Sequence, residues 1–377
     1  MKIAINTLSI FPGQIGGGET YLVNLLRSLE KIDNINDYHL FVNKKNHYLF
    51  PSSKNFQKIF CQGSENSRPL RISWEQFVLP RQIKDKKIDI LFSPANISPV
   101  FFLPCKSVLT IQDLCWVHFG EYLPWNERKF LKFLVTKSAK KANKIITPSE
   151  STKREIISYL GIKKEKIITI YLAPSEFFRA DKESNKIRQK NLPEIGSEFI
   201  LTLGTTHHHK NFSRLLEAYL LLKKQNKSFK HKLILAGMPG RAHSEIIEKV
   251  KNLKLEKDVI IKGRISDEEL RPLYYGADLF VLPSLCEGFG IPVLEAMACG
   301  IPVVSSNSTS LPEVVGDAGL LFDPCDINDM IKKIRMVLED PNFQQELKKK
   351  GFERVQNFSW EKAAKQTLET FKEVFKS

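Results

Sequence analysis

Short runs of β-branched and other apolar residues alternate along the whole chain with longer stretches in which apolar positions recur three or four residues apart. That alternation predicts βαβ units, and so parallel sheets flanked by helices. The first expected strands are Lys2–Asn6, His39–Val42, Ile88–Phe92, Ser107–Ile111, Lys144–Thr147 and Ile167–Tyr171. A second set comprises Phe199–Leu203, Lys232–Ala236, Val259–Lys262, Leu279–Leu282 and Pro302–Ser305, separated by helical patterns such as Asn211–Gln225 and Asp267–Tyr275. Between the sets, Arg179–Glu198 is polar and charged, is broken by Pro193 and Gly196, and reads as a linker. Two or three helices are expected after the second set. The last, Ser359–Phe375, has Ser359 as its N-cap and Ala363, Ala364, Leu368, Phe371 and Phe375 as its apolar positions. The halves read as two copies of one α/β architecture with a cleft between them. Ligands of open α/β sheets sit beyond the carboxyl ends of the strands, which places the expected chemistry there.

With 377 residues and 42% apolar content, the chain is long enough for two cores. Its net charge of +15 fits anionic partners such as phosphorylated substrates, an anionic membrane surface or nucleic acid, and equally fits a solvated lysine-rich surface. The basic residues are spread out and no nucleic-acid module is recognisable, so no nucleic-acid partner is expected. Six cysteines lie scattered in apolar stretches without the close pairing of a zinc site or redox dithiol, which fits a reducing cytoplasm. Met1–Asn6 reads as a first strand rather than a signal peptide. No apolar run reaches the roughly 18 residues that would span a bilayer, because Pro99, Pro104 and Lys106 interrupt the best candidate. The expectation is a cytoplasmic protein, soluble or peripheral on the inner face of the membrane. From Trp125 to Lys141, lysines and Arg128 interleave with Phe130, Leu131, Phe133 and Leu134. This is either a helix able to rest on an anionic membrane or ordinary amphipathic packing.

The most informative segment follows the strand Leu279–Leu282. Pro283-Ser284-Leu285-Cys286 leads into Glu287-Gly288-Phe289-Gly290, and Ile291 to Gly300 then reads as a short helix. Gly288 and Gly290 allow a tight turn, Pro292 suits a helix start and Gly300 a helix stop. The helix N-terminus then points at the strand end, an arrangement suited to phosphate. Glu295, read as lying in the first turn, can accept from sugar hydroxyls, and Glu287 would enter the same pocket from the preceding loop. Spacing alone equally fits a dipole-compensating carboxylate and an exposed loop glutamate.

Glu287 and Glu295, within Glu-Gly-Phe-Gly-Ile-Pro-Val-Leu-Glu-Ala-Met-Ala-Cys-Gly-Ile-Pro-Val-Val, resemble the E-x7-E motif of the retaining GT-B glycosyltransferases of family GT4. Gly16-Gly17-Gly18-Glu19, Ile111-Gln112-Asp113-Leu114, Thr147-Pro148-Ser149-Glu150, Leu203-Gly204-Thr205 with Lys210-Asn211, Gly263-Arg264, Ala277-Asp278, Ser310-Leu311-Pro312-Glu313 and Phe358-Ser359-Trp360 are similar to that family too. The resemblance implies an α/β GT-B fold, two Rossmann-like domains facing across a cleft. Residues 1–178 would bind acceptor, 179–198 link the domains, 199–357 bind nucleotide sugar, and 358–377 form a helix packing back on the first domain. The implied reaction moves a hexose, with retention, from a nucleotide diphosphate sugar to a saccharide or lipid-linked acceptor in cell-surface glycan synthesis. The stretch from Gly204-Thr205 to Lys210-Asn211 looks most like mannosyltransferases, which tilts the donor towards GDP-mannose. A nucleotide-sugar epimerase or phosphorylase is the alternative on the same architecture.

The resemblance also implies roles. Lys210 would neutralise the diphosphate, Glu287 hold the donor sugar and Glu295 the ribose, with further donor contacts from Gly17, Gly18, Gly204, Thr205, Arg264, Gly288, Phe289, Gly290, Val293 and Leu294. Thr205 stands where many relatives have arginine, a gap that Arg264 either fills or leaves while contacting the base. Gln112-Asp113 stands where relatives often have His-Asp. Gln112 can donate and accept hydrogen bonds but cannot take a proton as imidazole does, so front-face displacement, with the departing phosphate oxygen as base, is expected. Asp113 also fits a loop or helix-cap carboxylate. The run His207-His208-His209 invites a metal, but adjacent loop residues diverge and no partner has matching spacing. Neither metal nor cofactor is expected, the nucleotide sugar being a substrate. Gly16-Gly17-Gly18 lacks the third glycine of a dinucleotide fingerprint, Tyr21 standing there. Trp74, Trp116 and Trp125 are either stacking faces or core.

Overall fold

The computed structural model describes residues 1–12, 17–62, 67–178 and 198–377; the expected linker therefore lies outside the described residues except for Glu198. The chain divides into two compact units, Met1–Leu172 with Ser359–Ser377, and Ala173–Phe358. The division falls earlier than residue 178 because 173–178 packs into the second unit. There the Phe178 ring meets Tyr274 edge-on at 5.2 Å, and its carbonyl accepts the Cys299 thiol at 2.9 Å.

In the first unit the strands β1 (Lys2–Asn6), β2 (Asp37–Val42), β3 (Phe56–Phe60), β4 (Ile90–Ser93), β5 (Lys106–Thr110), β6 (Lys144–Thr147) and β7 (Ile167–Thr169) form one sheet in the order β3-β2-β1-β4-β5-β6-β7. The second unit holds β8 (Phe199–Leu203), β9 (Lys232–Ala236), β10 (Val259–Lys262), β11 (Leu279–Leu282), β12 (Val303–Ser306) and β13 (Leu320–Phe322), ordered β10-β9-β8-β11-β12-β13. Every neighbouring pair is parallel. Central strands such as β4 and β11 are buried at every position, as strands covered by helices on both faces must be. Two edge strands, β3 and β13, fall outside the expected set. β3 carries Gln57 and Lys58 and exposes Phe60, and β13 is three residues long, so neither displays a readable period.

Both sheets reverse their strand order once, between β1 and β4 in the first and between β8 and β11 in the second. Those reversals open crevices at the carboxyl ends of the strands.

The last helix, Trp360–Lys376, belongs to the first unit and starts on Ser359, whose hydroxyl accepts the Lys362 amide at 3.0 Å. Trp360 lies 6.4 Å from Tyr21 and Phe371 meets Phe92 edge-on at 5.3 Å. Its inward face includes Ala363, Ala364, Phe371 and two threonines, whereas Leu368 is half-buried and Phe375 exposed. Thr367 and Thr370 tolerate burial because their hydroxyls donate to carbonyls one turn back, at 2.8 Å each. Among the described residues no helix is long and apolar enough to cross a membrane.

Candidate functional site

At the reversal in the second sheet, two loops meet. Residues 204–211 pass over the end of β8, and residues 283–290 over the end of β11. Gly237, just beyond β9, makes room for the first loop. Its φ is +140°, and a Cβ there would lie 2.2 Å from the Gly204 carbonyl oxygen, so only glycine lets these strand ends close together. Thr206 fixes the next step, its amide donating to Met238 O at 3.0 Å and its hydroxyl accepting the Gly240 amide at 2.7 Å. Asn211 adopts the left-handed conformation that asparagine tolerates, with φ +59°. Its side-chain amide donates to Pro283 O at 3.1 Å and Pro324 O at 2.9 Å, stitching the two loops together. The stem of Lys210 then runs past Gly204, and its ammonium reaches Glu287 Oε1 at 2.6 Å.

Glu287 is held as firmly from its own side. Its amide donates to the Thr309 hydroxyl at 2.9 Å, and Ser310 Oγ lies 3.0 Å from both the Glu287 and the Phe289 carbonyl oxygens. The carboxylate oxygen that meets Lys210 also accepts the Ser284 hydroxyl at 2.7 Å. Burial would raise the Glu287 pKa, but the nearby Lys210 charge and the hydrogen bonds from Lys210 and Ser284 outweigh it and hold the group below the usual carboxylate value. Glu287 is therefore ionised at neutral pH. His209 beside it is pushed down to about 3, first by burial and then by the ammonium, and His207 is lowered for the same reasons. Both residues help shape the loop: His207 Nδ1 accepts the Arg241 amide at 3.2 Å, while the His209 main-chain carbonyl accepts the Leu285 amide at 2.7 Å. Among the described residues no group of three or more His, Cys, Asp or Glu is placed to hold a metal.

The helix Ile291–Ala298 starts from Gly290, where φ is +103° and a Cβ would lie 2.7 Å from Leu311 Cδ2. Pro292 has no amide hydrogen and the Val293 amide bonds Gly290 O at 3.0 Å, so this helix start offers an anion fewer donors than an ordinary one. Glu295 lies in the second turn, not the first, because the helix begins at Ile291. It is 5% exposed, accepts the Tyr274 hydroxyl at 3.0 Å, and is pushed up to about 7 by burial. The two carboxyls of the motif are thus shifted in opposite directions.

Residues 183–354 match the family model described as glycosyl transferases group 1, and residues 15–173 match that of Glycosyltransferase Family 4. O-antigen chain mannosyltransferase B of Escherichia coli is 34% identical over 315 residues, covering 81% of this chain and 81% of that protein. The chain belongs to glycosyltransferase family 4. Serotype-specific mannosyltransferase WbdA of Escherichia coli is 32% identical over 289 residues, 74% of this chain but 35% of that longer protein. Among solved structures, sucrose-phosphate synthase from Thermosynechococcus elongatus superposes with a TM-score of 0.78 at 21% identity, covering 100% of this chain and 99% of the other. With the two parallel sheets, that likeness shows the GT-B fold.

The remaining expected site residues of this glycosyltransferase are variously placed. Val293 and Leu294 are fully buried and Phe289 packs edge-on against Phe358 at 5.8 Å, so these three have only main chain to offer a ligand. Gly288 and Thr205 are half-buried, and Arg264 is exposed beyond β10. In the first unit, Gly17 opens the helix Gly17–Ile32, and Gly16 lies outside the described residues. Among the described residues a Cβ on Gly18 would meet nothing closer than Ile10 at 4.0 Å, so packing against them does not demand glycine there. Gln112 donates its side-chain amide to Pro94 O at 3.2 Å and its main-chain amide to Asn96 Oδ1 at 2.8 Å. Asp113 accepts the Cys115 amide at 3.0 Å. Trp74 and Trp116 pack against the core, whereas Trp125 is 71% exposed.

Sequence reading misses Ser284, Thr309, Tyr274 and Gly237, and reaches Ser310 and Asn211 only through family likeness. The polar run Ser305-Ser306-Asn307-Ser308-Thr309-Ser310 straight after an apolar strand was the available signal, since hydroxyls there can bind the loop of the neighbouring strand.

Proposed function

We propose that this glycosyltransferase moves mannose from GDP-mannose to a saccharide or lipid-linked acceptor, with retention at the anomeric carbon, in the assembly of a cell-surface polysaccharide. The observation that carries the reading is the Lys210–Glu287 ion pair at the strand-order reversal of the second sheet. The mannosyltransferase relatives support the choice of sugar and of product class.

In this reading Lys210 turns from Glu287 towards the diphosphate and neutralises the charge that develops as the anomeric carbon–oxygen bond breaks. Glu287, kept ionised, accepts from a sugar hydroxyl. Glu295 holds the ribose, and Val293 and Leu294 contribute main chain alone. The acceptor oxygen bonds the anomeric carbon on the face the phosphate leaves. Its proton passes to the departing phosphate oxygen, and nucleoside diphosphate is released. No protein base is required, which suits Gln112. Residues 199–357 take the donor and the first unit takes the acceptor. Lys210 supplies cationic charge, so the reaction proceeds without a metal ion and survives a chelator.

A screen of nucleotide sugars by thermal shift tests the donor, because a ligand that binds only the folded state raises its melting temperature. GDP-mannose is expected to give the largest rise. The product from that donor is then examined by proton NMR, where an α-configured linkage is expected. An inverted linkage, or a rise with another nucleotide sugar and none with GDP-mannose, overturns the respective half of the proposal.

A further inference from the structure

We propose that the first unit docks on an anionic lipid bilayer through a face built from the helix Arg68–Phe77, residues 100–102 and the helix Trp125–Lys141. Ile72, Val100 and Leu134 pack into one small core, so these three segments lie side by side. Outside that core they present Phe77, Phe101, Phe102, Phe130, Phe133 and Trp125, all between 46% and 71% exposed. Phe77 and Phe101 stack with ring centroids 5.5 Å apart, joining the first helix to the connecting segment. Single exposed apolar side chains are ordinary, but several aromatic rings on neighbouring segments mark an interaction surface.

Charge decides which partner fits. The helix Trp125–Lys141 carries Arg128, Lys129, Lys132, Lys137, Lys140 and Lys141 against Glu127, and Glu127 is already held by Arg68 at 2.5 Å. Its buried side is Leu134, Val135, Ser138 and Ala139, while Phe130 and Phe133 share the opposite side with Lys129, Lys137 and Lys140. The Lys129 ammonium sits 3.8 Å above the Trp125 ring, and Lys141 Nζ donates to the Phe101 carbonyl at 3.4 Å. Rings among cations are the pattern that the boundary of an anionic bilayer selects. The rings enter the level between headgroups and acyl chains, and the ammoniums stay at the phosphates. A second copy of this chain fits less well, since it would bring the same positive face. The proposal draws on the surface of the first unit and stands apart from the donor chemistry proposed above.

The test is flotation of the full chain with vesicles of phosphatidylcholine alone and of phosphatidylcholine with one-third phosphatidylglycerol, at low and high salt. Binding is expected only with phosphatidylglycerol, weakening as salt screens the attraction. A Phe130→Ser/Phe133→Ser variant and a Lys129→Glu/Lys137→Glu/Lys140→Glu variant are each expected to weaken it at least about tenfold, a lysine near such a surface being worth about fivefold. The melting temperatures are expected to stay unchanged. If the serine variant fails to fold, the charge-reversal variant and the salt series decide. Absence of lipid-dependent flotation, or flotation that both variants retain, overturns the proposal. So does self-association in sedimentation without lipid that the same variants abolish, which would give the face to a second copy instead.

Discussion

The two sheets reverse their strand order in the same way, yet the chemistry around the two reversals differs. In the first, side-chain amides brace the loops, and the buried Glu75 carboxyl, its pKa raised by burial, bonds Asn6 at the end of β1 with Arg71 beside it. Asn46 Nδ2 donates to Thr7 O at 2.9 Å and Ile10 O at 3.1 Å, Asn96 accepts the Gln112 main-chain amide, and Gln112 donates to Pro94 O. In the second, an ammonium and a carboxylate meet at 2.6 Å, ringed by the hydroxyls of Ser284, Thr309 and Ser310. Topology therefore fixes where a ligand can bind, and the loops decide which ligand. Amides that both donate and accept suit a neutral, hydroxyl-rich partner. A charged pair largely withdrawn from water adds little to stability, and in the proposed reading its place at a strand end serves the anionic donor.

The most severe challenge to that contrast is Lys210→Ala. It removes the cation that would stabilise the leaving diphosphate, and single-turnover transfer is expected to slow about 10² to 10³-fold. Lys210→Arg should recover part of the loss, whereas Glu287→Gln should raise the donor KM as well as lower the rate. A loss below tenfold for Lys210→Ala would remove the distinction between the two ends.

A second prediction separates the two motif glutamates by pH. Burial lifts Glu295 from the ordinary 4.5 to about 7, so between those values the folded chain keeps a proton that the unfolded chain has released. The stability that protonated Glu295 confers is complete below pH 4.5 and is lost as pH rises through about 7. Glu295→Gln, which never ionises, should therefore gain on the parent by up to about 3 kcal/mol between pH 5 and pH 8. Glu287 has the opposite sign. Its pKa is depressed, so its contribution is present at neutral pH and is lost as acid takes the pH through the folded value. Melting curves of both glutamine variants across pH 4 to 8 measure the two slopes. Parallel slopes would show that the two carboxyls share one environment.

Much of this was legible before the fold was known, for identifiable reasons. Strands such as β4 and β11 announce themselves because burial on both faces favours apolar runs, while β3 hides because Gln57 and Lys58 interrupt it and β13 because it is three residues long. Lys210 and Glu287 were each visible as candidates. Their mutual pairing was not, since it depends on β8 and β11 becoming neighbours across a separation of 77 residues. Tyr274 was hidden for the same reason, being 21 residues from Glu295 in the chain but 3.0 Å away in the fold. The place of Glu295 in the first turn was misjudged because sequence pattern leaves a helix start uncertain by a residue or more.

The smallest expected effect lies at the first sheet's reversal. Among the described residues Gln112 supplies one side-chain hydrogen bond, to the Pro94 carbonyl, and its main-chain bond to Asn96 survives truncation. Gln112→Ala should then cost about 1 kcal/mol, or roughly fivefold in transfer. An amide does not titrate, so the pH–rate profile between pH 6 and 9 should keep its shape. A hundredfold loss, with a new inflection in that profile, would instead place proton transfer within reach of Gln112. The first sheet's reversal would then take part in the chemical step, and the proposed division between a donor end and an acceptor end would have to be redrawn.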